Sequence, residues 1–167
     1  MLDLCMTLLS SVNDYALVWL VLLGVLTALG GRTGRWAALA GLIALVVGAA
    51  SSEVLKNRVM QPRPFLSLSD VRLLVSPPGS YSFPSVKTYA FAASSGALLA
   101  ARRLLGRVSL WGWGFLALAA AISYSRVYVG VHYPTDVLSG ALLGLFAGWL
   151  AAFIVDRLGN TKSPEGG

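Results

Sequence analysis

Acidic side chains, histidine and cysteine are scarce in this sequence. Of 167 residues, seven are Asp or Glu, one is histidine (His132) and one is cysteine (Cys5). A single cysteine excludes a disulfide framework or a thiolate metal cluster within one chain. A single histidine argues against a zinc site, which draws on several His and Cys ligands. No metal and no other cofactor is expected. Charged residues of both signs make up 12% of the chain, about half the share usual in soluble domains. Residues 1–14 hold no Lys or Arg, so no cleavable secretory signal is expected.

What fills the chain instead is apolar: 56% of the residues are hydrophobic. That composition is the mark of an integral membrane protein, and the length fits one domain over residues 1–167. The fold class expected is all-α, a polytopic transmembrane bundle of about five spans. A net charge of +6 would suggest nucleic acid in a soluble protein. Here the basic residues sit in short loops and at motifs, so membrane orientation and phosphate binding account for them better, and no nucleic-acid partner is expected.

Residues 1–12 set Leu2, Leu4, Leu8 and Leu9 among polar residues, the pattern of a short interfacial helix. Spans are expected at 15–30, 36–55, 84–101, 108–125 and 134–155. A tight turn carrying Arg32 and Arg35 joins the first two, and a turn at 101–107 carries Arg102, Arg103 and Arg107. Trp111 and Trp113 fall where an aromatic belt would lie. Residues 57–82 form one long loop broken by Pro62, Pro64, Pro77, Pro78 and Gly79; loops of that length in small domains are usually functional or disordered. Gly140, Gly144 and Gly148 make a small-xxx-small stripe on the last span. It reads more readily as packing inside the bundle than as a homodimer interface, and both stay open.

The chemistry concentrates in Ser125-Arg126-Val127-Tyr128-Val129-Gly130-Val131-His132-Tyr133-Pro134-Thr135-Asp136. Pro134 suits the first turn of a helix, where its missing N–H costs nothing. Asp136 can then fold back on His132, fixing the tautomer and leaving the other ring nitrogen as a nucleophile or base. Read alone, a His-x-x-x-Asp pair more readily caps a helix. Two motifs upstream change that balance: Lys56, six residues, then Arg63-Pro64, and later Pro84-Ser85-Val86-Lys87.

Together, in this order and from about Ser51 to Gly140, these segments resemble the three signatures of the type 2 phosphatidic acid phosphatase family. Its fold is shared with the vanadium-dependent haloperoxidases. The first and third signatures match. The second, Pro-Ser-Gly-His in the family, is matched in part, with Val86 and Lys87 at its last two positions. The resemblance implies that His132 attacks phosphorus and forms a phosphohistidine, with Asp136 orienting it. Lys56, Arg63, Ser85 and Arg126 would hold the phosphate oxygens, as protein groups do in phosphoryl transfer generally. Arg58 and Arg72 read as charges reaching toward lipid headgroups.

Lys87 stands where the family has the histidine that protonates the leaving oxygen. An ordinary lysine, with a pKa of about 10.4, seldom gives up its proton near neutrality. A leaving group that needs little protonation fits such a site, which favours a polyprenyl diphosphate over phosphatidic acid. A weakened relative that binds a lipid phosphate, or a lipid phosphotransferase, are the alternatives. A non-catalytic packing subunit would leave the convergence of Lys56, Arg63, Arg126, His132 and Asp136 unexplained.

Orientation follows from charge. One side of the five-span arrangement carries Arg32, Arg35, Arg102, Arg103, Arg107, Arg157 and Lys162. The motif side carries Lys56, Arg58, Arg63, Arg72, Lys87 and Arg126, four of them at motif positions. Setting those four aside, the positive-inside rule expects a cell-membrane protein with an extracytoplasmic site and a cytoplasmic C-terminus.

Overall fold

A computed structural model of the chain describes residues 1–12, 17–105 and 110–160. Among them every regular element is helical, in agreement with the all-α expectation. The order is α1 (Leu2–Val12), α2 (Leu17–Leu29), α3 (Gly31–Val59), a one-turn α4 (Pro64–Ser67), a 3-10 turn (Val86–Tyr89), α5 (Ala90–Leu105), α6 (Leu110–Tyr128) and α7 (Pro134–Asn160).

Local chemistry sets the ends. α3 stops where Met60 takes a left-handed conformation, φ 50°, and its N–H bonds back to the Lys56 carbonyl; such a residue is a common helix stop. α7 begins at Pro134, whose fixed φ suits a first helical position. The Tyr133 N–H donates to the Asp136 carboxylate at 2.9 Å, one half of a capping box.

Four boundaries differ from the sequence reading. The expected turn at 30–35 is a bend at Gly30 only, and Arg32 and Arg35 ride in the first turns of α3. The segment expected as a span from 84 starts as a 3-10 turn and becomes α-helix at Ala90. The expected turn at 101–107 continues α5 to Leu105, and residues 106–109 lie outside the described residues. Residues 57–59 belong to α3 rather than to the long loop.

α3, α5 and α7 pack against one another, α2 lies on α3, and α1 lies on α6. The packing inverts that of a soluble domain. Alanine dominates the apolar interior (Ala37, Ala40, Ala44, Ala92, Ala93, Ala151), while Leu39, Val46, Leu142, Phe146 and Trp149 face outward. Lipid tails are as apolar as leucine, so in a bilayer small residues earn helix contact and large ones face the chains. α3 and α7 are each long and apolar enough to cross a membrane.

The glycine stripe of α7 faces the interior of this bundle. A Cβ at Gly140 would stand 2.8 Å from the Ser85 carbonyl oxygen, one at Gly144 3.1 Å from the Ala92 nitrogen, and one at Gly148 2.7 Å from the Ala92 carbonyl oxygen. The stripe therefore lets α7 approach α5 and the 3-10 turn. That approach brings Asp136 beneath the turn, and the Ser85 N–H donates to the Asp136 carbonyl at 3.1 Å.

Candidate active site

The C-terminal ends of α3 and α6 and the N-terminal ends of α5 and α7 meet at one end of the bundle. Each delivers a residue: Lys56, Arg126, Lys87 through the 3-10 turn, and Asp136. His132 comes from the five-residue link before α7, and Gly130 makes that link possible. Its φ is +80°, and a Cβ there would stand 2.8 Å from the Arg72 carbonyl oxygen. A side chain at this point would push the 71–72 segment away and open the link.

His132 is 4% exposed. Its Nδ1 lies 3.4 Å from Asp136 Oδ2, and its Nε2 lies 3.4 Å from Arg63 Nη1. The carboxylate can only accept, so it keeps the imidazole proton on Nδ1 and leaves Nε2 with a lone pair. Burial lowers the pKa of the ring to about 4, and Arg63 and Arg126 push the same way. The Asp136 hydrogen bond offsets them only in part. The ring is neutral at pH 7. Asp136 is fully buried and Oδ2 is further held by the Ser82 hydroxyl and the Tyr133 N–H.

The cations gather around this pair. Arg63, 3% exposed, donates through Nε to the Ser80 carbonyl at 2.7 Å, through Nη1 to the Val131 carbonyl at 2.8 Å, and through Nη2 to the Ser80 hydroxyl at 3.1 Å. Lys56 donates to the same hydroxyl at 3.1 Å. These hydrogen bonds end on neutral oxygens, which satisfy the donors without neutralising buried charge. An anion would do both, so the pair has the chemistry to hold one. Lys87 donates to the Ser10 carbonyl at 2.6 Å, and Arg126 donates to that carbonyl at 3.4 Å and to the Ser10 hydroxyl.

Lys56, Arg63, Lys87, Arg126 and His132 line one cavity of about 280 Å³, with Glu53, Ser80 and Val86 also on its wall. Six of the seven residues singled out in the sequence thus come together, Asp136 standing behind the ring. Ser85 does not join the cavity wall. It is fully buried, and among the described residues its hydroxyl finds no partner and makes no cap to the turn that follows.

Sequence reasoning passed over the serines. Ser80 and Ser82 immediately precede the second motif but carry no signal in a loop rich in serine. Ser10 shares one face of α1 with Thr7 and Ser11 at i, i+3, i+4 spacing, a polar stripe that could have drawn attention to it. Arg72, expected to reach toward lipid headgroups, pairs with Asp3 of α1 at 3.3 Å, and the Tyr128 hydroxyl donates to the same carboxylate at 2.8 Å.

Fold and site together define a helical, membrane-type bundle with a cationic pocket around a buried histidine–aspartate pair. The chain belongs to the PAP2 superfamily, whose pattern matches residues 36–159. It is 38% identical over 126 residues to the undecaprenyl-diphosphatase of Sulfolobus acidocaldarius, covering 74% of this chain and 57% of that protein. It is 33% identical over 157 residues to the decaprenylphosphoryl-5-phosphoribose phosphatase of Mycobacterium tuberculosis, covering 92% of this chain and 78% of that one. The crystal structure of a transmembrane PAP2-type phosphatidylglycerolphosphate phosphatase from Bacillus subtilis superposes with a TM-score of 0.70 at 26% identity, over 98% of this chain and 79% of that one.

Proposed function

We propose that this chain is a membrane lipid phosphatase that removes the terminal phosphate of a polyprenyl diphosphate through a phosphohistidine at His132. One observation carries the reading: the Nε2 edge of a neutral, buried imidazole faces a cavity walled by Lys56, Arg63, Lys87 and Arg126, with Asp136 on the other nitrogen. The similarity to an undecaprenyl-diphosphatase supports the substrate class.

The steps follow from that geometry. The Nε2 lone pair forms a bond to the terminal phosphorus, and the bond from phosphorus to the bridging oxygen breaks. Its electron pair leaves with the lipid monophosphate. Asp136 compensates the positive charge that builds on the ring, and Lys56, Arg63 and Arg126 meet the oxygens of the group in flight. Water then adds to phosphorus, the N–P bond breaks with its pair returning to Nε2, and inorganic phosphate departs. Lys87 acts as an electrostatic clamp, because the departing phosphate is a weak base.

The five-span topology, with the site outside the cytoplasm, belongs to the same proposal. α2, α3, α5, α6 and α7 are its spans, and α1 lies at the surface over the site.

The test is phosphate release from polyprenyl diphosphate and from phosphatidate in detergent. The chain is expected to favour the diphosphate, His132→Ala to abolish release, and a chelator to leave it unchanged. Val86→Gly with Lys87→His is expected to raise turnover of the monoester most. Tight lipid-phosphate binding without turnover would establish the weakened-relative reading instead, and transfer to an alcohol acceptor in place of water the phosphotransferase.

A further inference from the structure

Two cations of the site converge on one oxygen, the Ser80 hydroxyl. It accepts from Lys56 Nζ at 3.1 Å and from Arg63 Nη2 at 3.1 Å. The Ser80 carbonyl accepts from Arg63 Nε at 2.7 Å. A serine oxygen has two lone pairs and one proton. With two N–H groups aimed at the oxygen both lone pairs are engaged, and among the described residues no acceptor receives the proton. Among those residues Ser80 is also the one serine on the wall of the cavity of about 280 Å³, beside Lys56, Arg63 and His132. Ser85, the serine of the second motif, is buried away from that wall. The segment carrying Ser80 is tied down again two residues on, where the Ser82 N–H donates to the Gln61 carbonyl at 2.9 Å. The hydroxyl is held in place before any ligand arrives.

We propose that Ser80 is a phosphate-contacting residue, donating its hydroxyl proton to an oxygen of the transferring phosphate while Lys56 and Arg63 hold that hydroxyl from behind. The contact rests on the phosphate reading of this cavity and not on the identity of the lipid. Neither cation is exhausted by the serine. Lys56 has three N–H groups and Arg63 five; the Ser80 and Val131 oxygens engage one and three of them, so both cations keep donors for the phosphate. The guanidinium spans from the hydroxyl to the nucleophile, with Nη2 on Ser80 Oγ and Nη1 3.4 Å from His132 Nε2. A phosphate whose phosphorus faces Nε2 has the Ser80 O–H within reach of one of its other oxygens. Two cationic donors on one oxygen polarise its O–H bond and strengthen it as a donor. The contact adds no charge and needs no proton transfer, and it meets the negative charge that spreads over the phosphate oxygens during transfer.

Inorganic phosphate titrated into the full chain in detergent, followed at the His132 ring resonances, tests this. His132 is the only imidazole, so the signal reports binding at this cavity. Affinity should fall roughly tenfold or more in Ser80→Ala, the effect of losing one hydrogen bond to a charged group. Ser80→Thr keeps the hydroxyl and should stay within a few-fold of the unmodified chain. Ser80→Cys, a weaker donor at the same point, should fall between the two, and it carries the test if Ser80→Ala fails to fold. A serine that merely occupies the two cations in the empty site would act in the opposite sense. Its removal would free their donors, and phosphate would bind Ser80→Ala as tightly as the unmodified chain or more so; that result overturns the contact. A loss in Ser80→Thr as deep as in Ser80→Ala assigns the effect to the loop and overturns it too. A serine that only positions Arg63 would show itself without phosphate, because Arg63 opposes protonation of His132 and the midpoint of the ring would move upward in Ser80→Ala. The contact requires that midpoint to stay. Absence of phosphate binding in the unmodified chain would sink the functional reading as a whole, whereas equal binding in all four chains with hydrolysis intact sinks the contact alone.

Discussion

His132 is the only imidazole in the chain, so its titration by NMR needs no assignment. The ring should titrate at about 4 rather than at the ordinary 6.5. Arg63→Met removes one of the cations that oppose protonation, and should move the midpoint upward; an unchanged midpoint would mean that the guanidinium does not face Nε2. The sign for stability follows. A base whose folded pKa lies below its unfolded value binds more protons when unfolded, so stability rises with pH between about 4 and 6.5 and is lost as pH falls through that window. His132→Gln should flatten that part of the stability profile. Ser82 offers a separate check. Its hydroxyl is one of three donors on Asp136 Oδ2, so Ser82→Ala should lower kcat roughly tenfold, the worth of one hydrogen bond to a charged group, with KM little changed. A drop in KM-weighted binding alone would assign Ser82 to substrate contact. The sequence made Lys56, Arg63, Arg126, His132 and Asp136 legible because motif spacing survives without coordinates. It did not make Ser80 or Ser82 legible, because what brings them in is the path of an irregular loop, and no periodicity encodes that path.

At the scale of elements, the helices were legible from apolar runs, while their ends were not. The glycine-rich segment 30–35 suggested a turn, but only Gly30 bends, and α3 runs on through Gly31 and Gly34 with Arg32 and Arg35 in its first turns. The third span was expected to run from residue 84, yet the chain spends one 3-10 turn from Val86 to Tyr89 before α5 begins. That extra turn packs on Gly140 and sets Lys87 toward α1. The close approach of α5 and α7 is the element-level feature most open to test. In Gly148→Ala the new Cβ would meet backbone at 2.7 and 2.8 Å, the Ala92 carbonyl oxygen and the Gly96 nitrogen. Backbone cannot rotate away, so the helices must separate, at a cost of about 1–3 kcal/mol. A lower melting temperature with unchanged mass by light scattering is expected. Loss of an oligomer at unchanged melting temperature would move the stripe to an interface between copies.

The whole molecule combines an alanine-rich interior with an outer belt of large apolar side chains, and composition alone foretold the class without foretelling which face was which. Orientation is the remaining question at this scale, and Cys5 answers it. It is the single thiol of the chain and it is exposed on α1. α1 is tied to the site end of the bundle at both of its ends: through Asp3 to Tyr128 and Arg72, and through Ser10 to Lys87 and Arg126. Whatever side Cys5 occupies, the site occupies too. In the proposed orientation the site lies outside the cytoplasm, so a membrane-impermeant maleimide should label Cys5 in intact cells, and Cys5→Ser should abolish the labelling. A cysteine put at Arg32 of the Cys5→Ser chain, on the first turn of α3, should react only after the cells are opened. Labelling of the Arg32→Cys chain in intact cells, with Cys5 silent until lysis, would turn the site to the cytoplasm and restrict its substrates to lipid phosphates of the inner leaflet.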